Sequence, residues 1–384
     1  MRTHAAISRR SMLFLLHPVF ALTGFADAIA GPMLPSLARV FRLSDSESGV
    51  LLFCLFAGMA VGALLCRGNY ARILVRGLFA LAITCAVFPW VPRPLLYPIG
   101  FFLGVSIGAP MTATSLFVGR NYPARRASTL TMLNFTWSVG AMLAPLLAAR
   151  ILAVSSWKTV YLVLAGASAL AAIGVHFTIY DSSEAPRATS QASRFGNFRL
   201  VSLFAVFFFL EVGMESAFGA WISTYVLRTA RTAVTLAAGA TAIYWAGFLL
   251  SRALSPLILL RVRPGRLLQI TLITALGAAI LLVVSSSLSM LAVAILLLGI
   301  ALAPIFPVAL AAFFDRARLS SDSRFVLAVS GFGASVFPGL VGWISAYSGS
   351  LRTGLIAGPA TLLVMVAILP LLGVSQSESS SASP

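Results

Sequence analysis

The sequence predicts an all-α membrane protein: twelve transmembrane helices in two pseudo-symmetric bundles of six. Three observations predict it. The 384 residues are 59% hydrophobic and 10% charged, with a mean hydropathy of +0.98, whereas soluble domains carry about a quarter charged residues. Apolar runs of about 20 residues, long enough to cross a hydrocarbon core of about 30 Å, recur from end to end. Short motifs of the first half also return, in the same order, in the second.

The spans follow one another with cations at their ends. The first, 11–40, comes after the basic Arg2, Arg9 and Arg10. It reads as a membrane helix rather than a cleaved leader, because His17 and Pro18 interrupt the short apolar core and the run continues past Asp27. Arg39 and Arg42 separate it from 46–66, and Arg67, Arg72 and Arg76 mark the turn to 73–92. Arg93 precedes 95–118, Arg120, Arg125 and Arg126 precede 127–153, and Arg150 and Lys158 flank the step to 158–180. Next comes "DSSEAPRATSQASRFGNFR", residues 181–199, polar and without apolar periodicity; it is a linker closing an N-terminal bundle of residues 1–180. The second bundle, 200–373, holds 200–227, 233–252, 266–286, 288–312, 323–347 and 351–373. Residues 374–384, ending "SQSESSSASP", read as a disordered tail.

With the N-terminus inside, 19 cations fall at one set of helix ends and 8 at the other. Cytoplasmic loops carry the excess of Lys and Arg, so both termini are expected in the cytoplasm. The compact loops suit a bacterial inner membrane. The net charge of +17 is scattered between apolar segments, which suits topology signals and argues against a nucleic-acid partner. Cys54, Cys66 and Cys85 have no disulfide or metal spacing. Nucleophile triads, P-loops and zinc spacings are missing too, so neither enzymatic activity nor a bound cofactor is expected.

The repeats are "GALLCR" (Gly62–Arg67) with "GFLLSR" (Gly247–Arg252), "LGVSIGAP" (103–110) with "LGIALAP" (298–304), and "GAMLAP" (140–145) with "GASVFP" (333–338). Their offsets are 185, 195 and 193 residues. Parallel repeats about an axis along the membrane normal are one construction of secondary transporters.

On these residues the chain resembles the major facilitator superfamily over essentially its whole length. That family's loop after the second helix reads Gly-x-Leu-x-Asp-Arg-x-Gly-Arg; Gly62, Leu64 and Arg67 match, while Cys66 stands for the Asp and Asn69 for the Gly. The resemblance makes Gly62, Arg67 and the repeat-related Arg252 candidates for a gating loop. "NFTWSVGAMLAP" (134–145) and "EVGMESAFGAWISTY" (211–225) are similar to the fucose–galactose–glucose:proton symporter family. That similarity implies a monosaccharide cargo and a coupling acid in the first helix. The family's second acid, in the fourth helix, has no counterpart in 95–118.

Of ten acidic residues, Asp27, Glu211 and Glu215 lie inside apolar spans. A carboxylate at mid-membrane costs about 2.5–3.5 kcal/mol on insertion scales, so such residues mark ion or substrate paths. Asp27 and Glu215 each sit 16 residues into their span, about 24 Å along a helix, and Glu211 shares a face with Glu215 one turn away. Aligning "TGFADAIAGP" with "VGMESAFGAW" brings Asp27 within one residue of Glu215. Asp27 and Glu215 are thus candidate proton carriers, and Glu211 and Glu215 candidate acceptors of substrate hydroxyls; the same trio could instead coordinate Na⁺. Asn134, Trp137, Trp221 and Trp245 supply the amide and planar faces a sugar needs. Because Arg252 aligns with a helix end, no cation is expected among the acids, and the cargo is expected to be small and neutral or cationic. The expectation is a monomeric importer of a monosaccharide, lipid-embedded and proton-coupled. Its rivals are a proton-driven exporter of cationic or amphipathic compounds and a non-transporting sugar sensor.

Overall fold

Inside a bilayer no water competes for backbone hydrogen bonds, so apolar segments fold as helices that satisfy their own polar groups. The computed structural model describes residues 9–121, 126–179, 198–314 and 320–373, and no strand occurs among them. The helices of the first half are α1 (Arg9–Ala28), α2 (Ala30–Phe41), α3 (Asp45–Leu64), α4 (Tyr70–Val87), α5 (Leu96–Asn121), α6 (Arg126–Val154) and α7 (Trp157–Ile179). Those of the second are α8 (Phe198–Thr229), α9 (Val234–Leu259), α10 (Pro264–Val284), α11 (Leu288–Leu302), α12 (Ile305–Phe314), α13 (Ser320–Ser348), α14 (Leu351–Leu355) and α15 (Ala357–Ile368). Among the described residues, eleven candidate spans are long and apolar enough to cross a membrane, and the bent pair α1–α2 raises the number to twelve. The chain is an integral membrane protein.

Three spans are broken near prolines. Segments α1 and α2 meet at 41°. Pro32 has no N–H for the Ala28 carbonyl, and its ring crowds that group. Pro304 separates α11 from α12 in the same way, and Pro359 lies just beyond the break between α14 and α15. The linker 181–199 lies outside the described residues except for Phe198 and Arg199, which are already helical, and the tail from 374 lies outside them too.

The repeat has a physical counterpart. Gly140 of α6 lies against the Ala21 carbonyl of α1, and Gly333 of α13 lies against the Phe209 carbonyl of α8. A Cβ at either glycine would overlap that oxygen. The same close helix crossing, which only small residues permit, is therefore built once in each half.

Between the halves, α3 packs on α13, α6 on α9 and α2 on α8. One end of this junction is tied by charge. Ser44 and Glu47 form a capping box that fixes the first turn of α3, placing Asp45 where both its oxygens accept from the Arg228 guanidinium of α8 at 2.6 Å. Ser345 of α13 donates a further hydrogen bond to Asp45. Just below, Gly49 meets Gly339 and Gly342. Asp45 and Glu47 are thus in the helix's first turn.

Candidate functional site

Four elements converge at the centre of the junction. Asp27 ends α1 just before the bend, Glu215 and Ser216 come from α8, Trp137 from α6 and Trp245 from α9. With Gly31 of α2 and Phe56 of α3, they line a cavity of about 40 Å³. That is room for a few waters and too little for a hexose.

The polar atoms here are conspicuously unpaired. The indole N–H groups of Trp137 and Trp245 are buried without an acceptor, and the two rings meet edge to face at 5.5 Å across the junction. Glu211 is fully buried; no N–H or hydroxyl donates to either of its oxygens, and the group within hydrogen-bonding reach is the Glu215 carboxyl. Glu215, one turn on, is near enough to act on it electrostatically. Asp27 feels the charge of Glu215 in turn. Buried polar groups are nearly always hydrogen-bonded, so orphans mark a place for a proton, a water or a ligand.

Of the sequence candidates, the structure therefore brings together Asp27, Glu215, Trp137 and Trp245, with Glu211 behind them. Asn134 is exposed, away from this cavity, its amide donating to the Leu130 carbonyl. Trp221 does not line the cavity either: it is fully buried and donates its indole N–H to the Pro338 carbonyl at 2.9 Å. Trp221 packs α8 onto α13. We expect Trp221→Phe to cost about 1 kcal/mol of stability, read as a lower melting temperature in detergent, with sugar KM unchanged; a raised KM at unchanged stability would return it to the binding site. His17 also has a local role, its ring Nδ1 lying 2.8 Å from the Thr136 hydroxyl. That hydroxyl gives its own proton to the Met132 carbonyl.

The largest correction concerns Arg252. The repeat alignment puts it at a helix end beside Arg67, but α9 continues to Leu259. Its guanidinium turns inward, donates to Ser138 of α6 at 3.1 Å and lies over the rings of Phe248 (4.4 Å) and Trp137 (5.8 Å). It acts electrostatically on both Glu211 and Glu215, so the acids do have a cation beside them. The signal was available: "ALSPLILL" (253–260) keeps the run apolar beyond Arg252. Gly62 of α3 is a packing residue, pressed on the Val105 carbonyl of α5, while Arg67 is exposed past the helix end. Sequence reasoning also missed Asp45 and Arg228, whose only signal is opposite charge at facing span ends.

The comparisons agree with this architecture. The model of the Major Facilitator Superfamily matches residues 16–324. A glucose/galactose transporter of Brucella abortus is 28% identical over 264 residues, 61% of this chain and 63% of that protein. The chain thus spans less than two thirds of that relative's length. A putative glucose/galactose transporter of Helicobacter pylori is 22% identical over 86% of this chain and 88% of its own. Among solved structures, a bacterial homologue of the human lysosomal transporter Spinster, inward-facing and occupied, superposes with a TM-score of 0.74 at 18% identity, covering 95% of this chain and 97% of that one. The transporter FucP in its outward conformation gives 0.63 at 17% identity, covering 94% and 98%. A D-xylose–proton symporter gives 0.68 at 16% identity, covering 93% and 97%.

Proposed function

The chain belongs to the Major Facilitator Superfamily, and we propose that it imports a monosaccharide together with a proton by alternating access. It works as a single chain in a bacterial inner membrane with both termini cytoplasmic. The observation that carries this reading is the set of unpaired groups at the junction. The indole N–H groups of Trp137 and Trp245 can only donate, and the carboxyls of Glu211, Glu215 and Asp27 can accept. A sugar hydroxyl does both, and a sugar's C–H face stacks on an indole. An amphipathic drug would leave these buried groups unsatisfied at about 1–3 kcal/mol each. The relatives named for glucose and galactose transport support the same cargo class.

The buried guanidinium alters one step of the argument without reversing it. Arg252 lies beside Glu211 and Glu215 and does not line the cavity, so it is not a free site for an anionic cargo. Neutral cargo follows from carboxyls and not a guanidinium lining the cavity. Asp27 is the coupling acid, since it lines the cavity at the break of the first span and makes no hydrogen bond among the described residues. The tie of Asp45 to Arg228 and Ser345 closes the end that the arginine distribution assigns to the outside. The better superposition on an inward-facing structure supports the same state.

Uptake of radiolabelled D-glucose, D-galactose, L-fucose and D-xylose into proteoliposomes tests the proposal. Under an inward proton gradient at least one sugar is expected to accumulate, and an inward Na⁺ gradient alone should drive none. Accumulation with Na⁺ only would replace the coupling ion, efflux of cationic dyes without sugar movement would favour the exporter, and sugar binding without flux would favour the sensor.

A further inference from the structure

Arg252 is the charged group at the junction that sugar binding leaves unused. The groups around it come from three helices: Glu211 and Glu215 of α8, Ser138 and Trp137 of α6, and Tyr244 and Phe248 of its own α9. Asp27 of α1 joins through Glu215. Among the described residues the guanidinium forms no ion pair with either glutamate. It bonds instead to a neutral serine on the opposite half, while the buried Glu211 carboxyl receives no N–H or hydroxyl donor and has the Glu215 carboxyl within hydrogen-bonding reach.

That choice is informative. A guanidinium has five N–H donors, and its bonds to carboxylates are about twice as strong as those to neutral acceptors. Beside two ionised glutamates it would take them in preference to a hydroxyl. Its attachment to Ser138 fits a state in which the pair carries protons. Ser138 is suited to the exchange, because its hydroxyl accepts from Arg252 and gives its proton to the Asn134 carbonyl at 3.1 Å. The bond crosses from α9 to α6, so making or breaking it acts on the junction itself.

We propose that Arg252 is a switching counter-charge, held by Ser138 across the halves when Glu211 and Glu215 are neutral and drawn back to α8 when they ionise. It is a positioning residue: it touches no cargo, but converts the charge of the pair into a tie between the halves. The idea rests on the proposed coupling, with protons passing between Asp27 and the glutamates through Glu215, and not on which sugar is carried.

The test needs no sugar. Dicyclohexylcarbodiimide modifies protonated carboxyls in apolar surroundings, and mass spectrometry of the purified full chain locates the adduct on Glu211 or Glu215. At about pH 8, Arg252→Gln is expected to label about tenfold faster than the parent, because the counter-charge favouring ionisation is gone; Arg252→Lys should stay near the parental rate. Ser138→Ala removes the competing acceptor and should slow labelling about threefold at the same pH, a change of opposite sign to that of Arg252→Gln. Melting temperatures in detergent check folding of each variant. Should Arg252→Gln fold and label at the parental rate, or should Ser138→Ala label as fast as the parent, the switch is refuted. Sugar uptake measured separately keeps that outcome distinct from failure of the transport reading.

Discussion

Asp27→Asn is expected to abolish sugar accumulation driven by a pH gradient while leaving passive equilibration intact. The amide keeps the shape and hydrogen-bonding reach of the carboxyl but cannot load or release a proton. One proton per sugar supports up to about tenfold accumulation per pH unit, since a unit corresponds to about 1.4 kcal/mol. The variant should therefore settle at a ratio of about one, which is what remains without coupling. Counterflow, in which labelled sugar exchanges for unlabelled sugar at equal pH, should persist because the cavity walls are unchanged. Wild-type accumulation in Asp27→Asn would move the coupling to Glu215 and Glu211, the acids on the other side of the same cavity.

Gly31→Val should jam the junction. Gly31 of α2 faces the backbone of Gly219 and Ala220 of α8, and even one added Cβ would overlap the Gly219 carbonyl oxygen. Both partners are helix backbone, so neither can yield as a flexible side chain would. Overpacking of this kind costs about 1–3 kcal/mol, and here the cost falls on the closed junction alone, because the contact is broken when the halves part. The ratio of closed to open molecules should fall about five- to 150-fold. Transport should collapse, because a cycle needs both states. The measurement uses Ser216→Cys, which sits on the cavity wall, in a background with Cys54, Cys66 and Cys85 replaced by Ser. A membrane-impermeant maleimide added from outside should label that cysteine much faster with Gly31→Val than without. Equal labelling would mean that the Gly31 contact does not decide which state is populated.

The helices were legible in the sequence because their cause is local. A run of apolar residues with no water to bind has one backbone solution, and the cations at its ends mark its length. The breaks at Pro32 and Pro304 were legible in kind but not in consequence. Proline marks where a hydrogen bond is lost, whereas the 41° bend at α1–α2 depends on what the helix packs against. The pairing of Asp27 with Glu215 was legible through the repeat, because equivalent positions in two similar bundles face one axis. The same repeat misled over Arg252. Matching "GFLLSR" to "GALLCR" aligned residues correctly but carried over a helix end that the second half does not share.

Trp221 and Trp245 show why the site was only half visible. Both are tryptophans on helices of the second half, with equal claim to a sugar by composition. Trp245 ends at the junction with its N–H unsatisfied, and Trp221 turns to the Pro338 carbonyl. Nothing in the local sequence separates them, because a helix face acquires a role only when a neighbour covers it or leaves it open. By itself the sequence determined a membrane-spanning bundle of two related halves with three carboxyls sunk in it, since burial cost and helix formation follow from residue type and spacing. That Glu211 stands behind the cavity Asp27 and Glu215 share, that Arg252 stands beside them, and that Asp45 and Arg228 tie one end shut were decided by tertiary structure. Those facts depend on distances between elements far apart in the chain, which the packing of backbone on backbone at a few glycines sets.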